Sequence, residues 1–200
     1  MKISNSSLLA HFQASTGVCT DTRKIQAGNM FFALKGPNFN ANAMAEEALA
    51  KGACCAVIDD ESYDTGAKTL LVSDGLLALQ DLATAYRNTL HIPIIGLTGS
   101  NGKTTTKELI NVVLSKKFKV KATIGNLNNH IGVPLTILSF TTDTQIGIVE
   151  MGANHQKEIQ FLCQIAQPDY GYITNFGKAH LEGFGGVEGV IKGKSEMYDY

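Results

Sequence analysis

Short apolar runs alternate along the chain with stretches whose apolar residues recur at helical spacing. Met30-Phe31-Phe32-Ala33-Leu34 reads as a strand ended by Gly36-Pro37. Residues 42–51, with Met44, Ala48 and Leu49 on one side, predict a helix stopped by Gly52. Residues 53–58 and 69–72 read as further strands. Leu76, Leu79, Leu82, Ala83, Tyr86 and Leu90 then predict a helix of about four turns. His91-Ile92-Pro93 ends it and marks a domain boundary, because proline stops the helix as a new strand begins.

The second half repeats the rhythm. Ile94-Ile95-Gly96-Leu97 is a strand, 104–114 a helix and 120–124 a strand. Residues 132–140 form a short helix with Pro134 tolerated in its first turn. Strand 145–149, helix 156–165 with Ile159, Leu162 and Ile165 inward, strand 170–174 and helix 187–198 follow. Strands alternating with helices predict an α/β fold whose parallel sheets are covered on both faces. Two such units are expected, over 1–90 and 91–200.

Composition narrows the function classes. Of 200 residues 44% are hydrophobic, enough to form a core. Seventeen Lys and Arg against eighteen Asp and Glu leave a net charge of −1, which speaks against a nucleic-acid or anionic-membrane face. No apolar run approaches the roughly 18 residues of a membrane span. Residues 1–12 lack the apolar stretch of a secretory signal. Cys19, Cys54, Cys55 and Cys163 form no C-x-x-C pair, and the reading is of buried free thiols in a reducing cytoplasm. Asp59-Asp60-Glu61 and the lysines at 116, 117, 119 and 121 read as solvated surface.

The sharpest chemistry lies in Gly96-Leu97-Thr98-Gly99-Ser100-Asn101-Gly102-Lys103-Thr104-Thr105, between a predicted strand and a predicted helix. Glycines there let consecutive N–H groups curl toward one anion, and the helix N-terminus adds positive potential. Lys103 would supply a point charge for phosphates and Thr104 a hydroxyl for Mg²⁺. Five residues separate Gly96 from Gly102, one more than the usual spacing, and Leu97 stands where the first glycine belongs. The plainer alternative is a Gly-rich turn with an incidental Lys-Thr; the strand–helix context favours a nucleoside triphosphate.

Three further polar segments follow predicted strands, where ligands of open α/β sheets sit. Glu150 could reach a Mg²⁺ beside Thr104, although a lone Glu at a strand end is more often a cap or surface residue. His180 and the Asn128-Asn129 loop are each weak alone, a structural histidine and a turn being the bland accounts. Lys192, Lys194 and Glu196 read as a solvated helix face.

Together these segments resemble the ATP-dependent Mur ligases of peptidoglycan synthesis. The matching stretches are Thr20-Asp21-Thr22-Arg23, Phe31-Phe32-Ala33-Leu34-Lys35-Gly36, the loop from Thr98 to Thr105, Gly125-Asn126-Leu127-Asn128-Asn129-His130-Ile131-Gly132-Val133-Pro134, Glu150-Met151-Gly152-Ala153, and Thr174-Asn175-Phe176-Gly177-Lys178-Ala179-His180-Leu181-Glu182-Gly183-Phe184. The shifted glycine spacing is that family's own form of the loop.

The resemblance implies a small N-terminal α/β substrate domain, then a mostly parallel, doubly wound phosphate-loop ATPase domain. Family members are longer and carry a further C-terminal domain, so this chain would hold only the first part of the ATPase domain and would lack turnover alone. Gly99, Ser100, Asn101, Gly102, Lys103, Thr104 and Thr105 would bind ATP. Thr104, Glu150 and His180 would ligate Mg²⁺, with Lys103, Lys194 and His180 catalytic. Lys194, fourteen residues after His180, matches a lysine carried as a carbamate, which would help hold a second Mg²⁺. Thr20, Asp21, Thr22, Arg23, Lys35 and Gly36 would grip the UDP part of UDP-MurNAc-tripeptide, and Asn128 and Asn129 its peptide end. Asn40-Ala41-Asn42 departs from the family's Asp-Gly-His and receives no role. The implied reaction joins D-alanyl-D-alanine to that nucleotide-sugar peptide through an acyl phosphate, in a cytoplasmic monomer. A different Mur ligase, a folylpolyglutamate synthase and a non-catalytic nucleotide-binding module remain the alternatives.

Overall fold

The computed structural model describes residues 2–66 and 68–200. The chain divides into two compact units, Met1–Ala85 and Tyr86–Tyr200.

In the first unit, β1 (Val18–Cys19), β2 (Met30–Phe32), β5 (Cys55–Ile58) and β6 (Thr69–Leu71) form a parallel sheet in the order β1-β2-β5-β6. Every residue of β2 and β5 is buried, which explains their continuous apolar runs. Phe31, Ala33, Ala48, Ala56, Ile58 and Leu71 share one core cluster. Helix α1 (Asn5–Gln13) was not expected from periodicity, since it buries only Leu8 and Phe12; the Ser4 side chain caps it by accepting from Ser7 N–H. The expected strand over 30–34 stops at Phe32, and Gly36-Pro37 falls in a hairpin instead. A two-residue turn joins the antiparallel strands β3 (Lys35–Gly36) and β4 (Phe39–Asn40).

Side-chain hydrogen bonds reshape two expectations here. Residues 41–44 form a 3₁₀ turn before α2 (Ala45–Ala50), because Asn40 Oδ1 accepts from Asn42 N–H at 3.0 Å. Asn42 is fully buried, donating to Asp59 Oδ1 at 2.8 Å and accepting from Asp59 N–H at 2.9 Å. Asp59 is thus not solvated loop; it also pairs with Lys35 at 2.9 Å. Burial would raise its carboxyl pKa, but hydrogen bonds from Lys35, Gly75 N–H and Asn42 outweigh burial and lower it. Cys54 corrects the reading of four buried thiols: it is exposed just before β5. Cys55 and Cys163 are buried, and burial pushes both thiols up to about 12.

Helix α3 (Gly75–Arg87) crosses the division, which therefore falls before the expected border at Pro93. The reason is Arg87. Its guanidinium is buried, donating to Ala166 C=O at 3.0 Å and Gln167 C=O at 2.8 Å and pairing with Asp169 at 3.0 Å.

The second unit is a parallel sheet in the order β10-β7-β9-β8, made of β7 (Ile94–Thr98), β8 (Val120–Ala122), β9 (Ile146–Glu150) and β10 (Tyr170–Ile173). The helices α4 (Lys103–Leu114), α5 (Gly132–Leu138) and α6 (Glu158–Ala166) make the crossovers; α7 (Leu181–Phe184) and α8 (Val187–Asp199) follow β10. Ile94, Leu97, Ile148, Val149, Ile159 and Leu162 are buried between the layers. Leu97 is in register with Glu150 and Thr98 with Ile173, so the loops leaving β7, β9 and β10 emerge along one edge. No helix among the described residues is long and apolar enough to cross a membrane.

Candidate functional site

The β7–α4 loop bends through two glycines in the left-handed half of backbone space, Gly99 at φ 140° and Gly102 at φ 75°. Thr106 N–H bonds to Gly102 C=O at 2.9 Å as the helix opens. The amides of Lys103, Thr104 and Thr105 therefore lie in the first turn, where a helix provides no acceptor. They are available to an anion, in the positive field of the helix end. Ser100 and Asn101 behave differently: their N–H groups donate to Asn175 C=O at 3.0 Å and Asn175 Oδ1 at 3.2 Å. Lys103 folds over the loop, its Nζ donating to Gly99 C=O at 2.8 Å and Ser100 C=O at 3.4 Å. Burial lowers its pKa, with Glu150 opposing.

Glu150 ends β9 one strand away. Its N–H donates to Thr123 Oγ1 at 2.9 Å, and its side chain is 1% exposed. Oε1 accepts from Asn128 Nδ2 at 2.8 Å and from Thr104 Oγ1 at 3.3 Å. Oε2 is buried without a hydrogen-bond partner. A buried carboxylate oxygen left open, beside a hydroxyl at a phosphate loop, suits a hard cation such as Mg²⁺.

Lys107, which periodicity and motif reading missed, lies against this carboxylate. It is fully buried one turn after Thr104, its Nζ donating to Thr123 C=O at 2.6 Å, pairing with Glu108 at 3.0 Å and lying 4.0 Å from Glu150 Oε2. The available signal was a lysine on the sheet-facing side of an amphipathic helix, which must find a counter-charge.

The cleft beside these groups holds about 580 Å³ and is lined by Lys103, Asn128, Asn129, Glu158, Phe161 and His180, among others. Asn129 Oδ1 accepts from Ile131 N–H at 3.1 Å and Gly132 N–H at 2.9 Å, opening α5, while Asn128 faces Glu150. His180 is exposed at the cleft wall with φ +55°, immediately before α7. Among the described residues no group of three or more His, Cys, Asp or Glu is placed to hold a metal ion. A cation here would therefore depend on Thr104, one carboxylate, at most one histidine from the cleft wall and the ligand's own oxygens.

The solvated-face reading of α8 holds for Lys192 and fails for Lys194. Lys194 is 2% exposed; its Nζ donates to Ala153 C=O at 3.2 Å and lies 5.0 Å from the centre of the Phe184 ring. Burial, then the charge of Lys103, lowers its pKa from 10.5 to about 8. Glu196 is occupied at the start of α6, accepting from Lys157 N–H at 2.6 Å and Gln160 N–H at 3.0 Å.

The remaining expected residues sit in the first unit. Asp21 caps a short 3₁₀ turn by accepting from Arg23 N–H, and chelates the exposed Arg23 guanidinium at 2.8 Å. Hydrogen bonds from the Arg23 side chain and backbone hold the Asp21 carboxyl well below the usual range. Thr22 is buried, Thr20 is partly exposed, and Lys35 and Gly36 lie on the exposed hairpin.

Residues 97–200 match the family described as the Mur ligase middle domain. The UDP-N-acetylmuramoyl-tripeptide–D-alanyl-D-alanine ligase of Bacillus subtilis (strain 168) is 44% identical over 184 residues, covering 90% of this chain and 40% of that protein. A crystal structure of MurF from Acinetobacter baumannii aligns with TM-score 0.83 at 36% identity, covering 96% of this chain and 46% of that one. MurF from Thermotoga maritima, crystallised in complex with ADP, aligns at 0.82 with 33% identity over 92% of this chain and 43% of that one. The chain thus spans about two fifths of the length of the curated relatives it matches.

Proposed function

Because this chain belongs to the Mur ligase family, we propose that it carries the nucleotide site and part of the substrate site of an ATP-dependent ligase that joins D-alanyl-D-alanine to UDP-MurNAc-tripeptide. The observation that carries the reading is the meeting of Thr104 with Glu150 beside the phosphate loop, with Glu150 Oε2 buried and without a hydrogen-bond partner. The bacterial relative's name, and the ADP-bound relative, support ATP and these two substrates.

In the proposed reaction a terminal carboxylate oxygen of the tripeptide attacks the γ-phosphorus of ATP. The bond to the ADP oxygen breaks, giving an acyl phosphate and ADP. The amine of D-alanyl-D-alanine then attacks the acyl carbon, loses a proton and expels phosphate, leaving an amide. Two anions must meet in the first step, so the protein's task is to gather positive potential and hold the groups in line. The amides of Lys103, Thr104 and Thr105 and the Lys103 ammonium receive the phosphates. Thr104 and Glu150, with His180 from the cleft wall, would hold Mg²⁺. The ion would neutralise phosphate charge. Asn128 and Asn129 would meet the peptide end, while Thr20, Asp21, Thr22, Arg23, Lys35 and Gly36 would hold the UDP part. Such an enzyme works in the cytoplasm, where ATP is supplied.

Lys194 fits a carbamate in this scheme. A neutral amine adds CO₂ and releases a proton, turning a neutral group into an anion that would help hold a second Mg²⁺. With a pKa of about 8, the amine is neutral far more often near neutral pH than an ordinary lysine of 10.5. At fixed dissolved ¹³CO₂, a carbamate carbon resonance is expected to grow between about pH 7 and pH 8.5 and to vanish in Lys194→Met. A signal unchanged by that substitution would remove the carbamate from Lys194.

Binding distinguishes the substrate assignment from its neighbours. UDP-MurNAc-tripeptide is expected to bind the chain, and UDP to compete with it, while a folate polyglutamate does not. Folate binding without UDP-MurNAc-tripeptide binding would replace the assignment by a folate ligase.

A further inference from the structure

The loop after β10 grips the phosphate loop at two residues, Ser100 and Asn101. Ser100 N–H donates to Asn175 C=O at 3.0 Å and Asn101 N–H donates to Asn175 Oδ1 at 3.2 Å. Asn175 Nδ2 returns a bond to Asn101 C=O at 3.0 Å, and Thr174 Oγ1 donates to that same carbonyl at 2.7 Å. Ser100 Oγ completes the contact by donating to Gly177 C=O at 3.0 Å. The Asn175 carboxamide therefore offers Asn101 one acceptor and one donor, as the peptide of a neighbouring strand would. Beyond the end of β10 at Ile173, backbone bonds still join Thr174 N–H to Thr98 C=O and Ser100 N–H to Asn175 C=O, and the Asn175 side chain carries the pairing one residue further, to Asn101.

This pairing has a consequence for the anion site. The amides of Ser100 and Asn101 turn away toward Asn175, which leaves those of Lys103, Thr104 and Thr105 to face a phosphate. A loop held in that shape before the ligand arrives need not be ordered by it, and affinity rises by the ordering cost that is avoided.

We propose that Asn175 is a positioning residue for nucleotide binding: its side chain locks the Ser100-Asn101 turn so that the first turn of α4 presents its free amides to the phosphates. The proposal rests on the phosphate-loop reading of residues 99–105. Asn175 is exposed, so truncating it opens no core.

The test is Asn175→Ala, measured with ADP and with inorganic tripolyphosphate, which has phosphates but no nucleoside. The variant loses both side-chain bonds to Asn101 and keeps the backbone bond from Ser100. Binding of each probe is expected to weaken about tenfold, with the melting temperature little changed. Equal affinity of variant and wild type for both probes would overturn the proposal. So would weaker ADP binding with unchanged tripolyphosphate binding, because Asn175 would then act on the nucleoside. If wild type bound neither probe, the phosphate-loop reading itself would fall, and this proposal with it.

Discussion

Lys103→Ala is expected to weaken ATP and ADP binding at least a hundredfold while leaving the fold intact. Lys103 Nζ donates to loop carbonyls, those of Gly99 and Ser100. Removing it breaks no core contact. What disappears is a cation on a flexible stem at the phosphate loop, able to follow the phosphates as charge moves between them. Hydrogen bonds between charged groups contribute about 1.5–3 kcal/mol each, and a lysine serving two phosphate oxygens accounts for the hundredfold or more. Burial already lowers the Lys103 pKa. A polyphosphate reverses that effect, and protonated Lys103 gains more from the ligand than an exposed lysine would. Titration calorimetry with a parallel melting curve checks both halves. An unchanged dissociation constant would remove Lys103 from the site, and a collapsed melting curve would make it structural.

Gly99→Ala should instead damage the loop and the fold together. Gly99 sits at φ 140°, where a side chain is strained, and a Cβ there would overlap Thr174 Oγ1 and stand 3.0 Å from Thr174 N. Neither neighbour can retreat freely: Thr174 N–H bonds to Thr98 C=O at 2.9 Å and its hydroxyl holds Asn101. Strain and overlap together are expected to cost about 2–4 kcal/mol, lowering the melting temperature by roughly 5–15 °C for a chain of this size. Nucleotide binding should fall with it, because the displaced turn no longer aims the first amides of α4. Thr174→Ala added to Gly99→Ala removes the hydroxyl overlap and leaves the backbone strain, so partial recovery of stability is the expected outcome. Full recovery would show the φ at Gly99 to be unimportant.

How far each feature was legible in the sequence depends on how local its cause is. The phosphate loop could be read because its glycines, lysine and threonines are consecutive and their flanking strand and helix are strongly patterned. Glu150 could be placed at a strand end by the same means. Its open oxygen could not, because that depends on Asn128, Thr104 and Lys107 arriving from other elements. Lys194 reads as a surface lysine and Lys107 attracts no reading at all; the packing that buries them comes from residues far away in sequence, Thr123 and Ala153. The clamp at Asn175 spans 74 positions and leaves no local signature. In the first unit, the Asn40 side chain on Asn42 N–H bent the start of a helix that apolar spacing alone would have begun earlier. Helix α1 escaped notice because two buried residues make too faint a stripe.

The central claim is that residues 99–105, with Glu150, form a site for a nucleoside polyphosphate and Mg²⁺. Calorimetric titration of ATP into the chain, with and without Mg²⁺, tests it most directly. The account predicts saturable binding that Mg²⁺ strengthens and that Lys103→Ala abolishes over the same concentrations. No saturable binding by wild type, or equal affinity for wild type and Lys103→Ala, would contradict it.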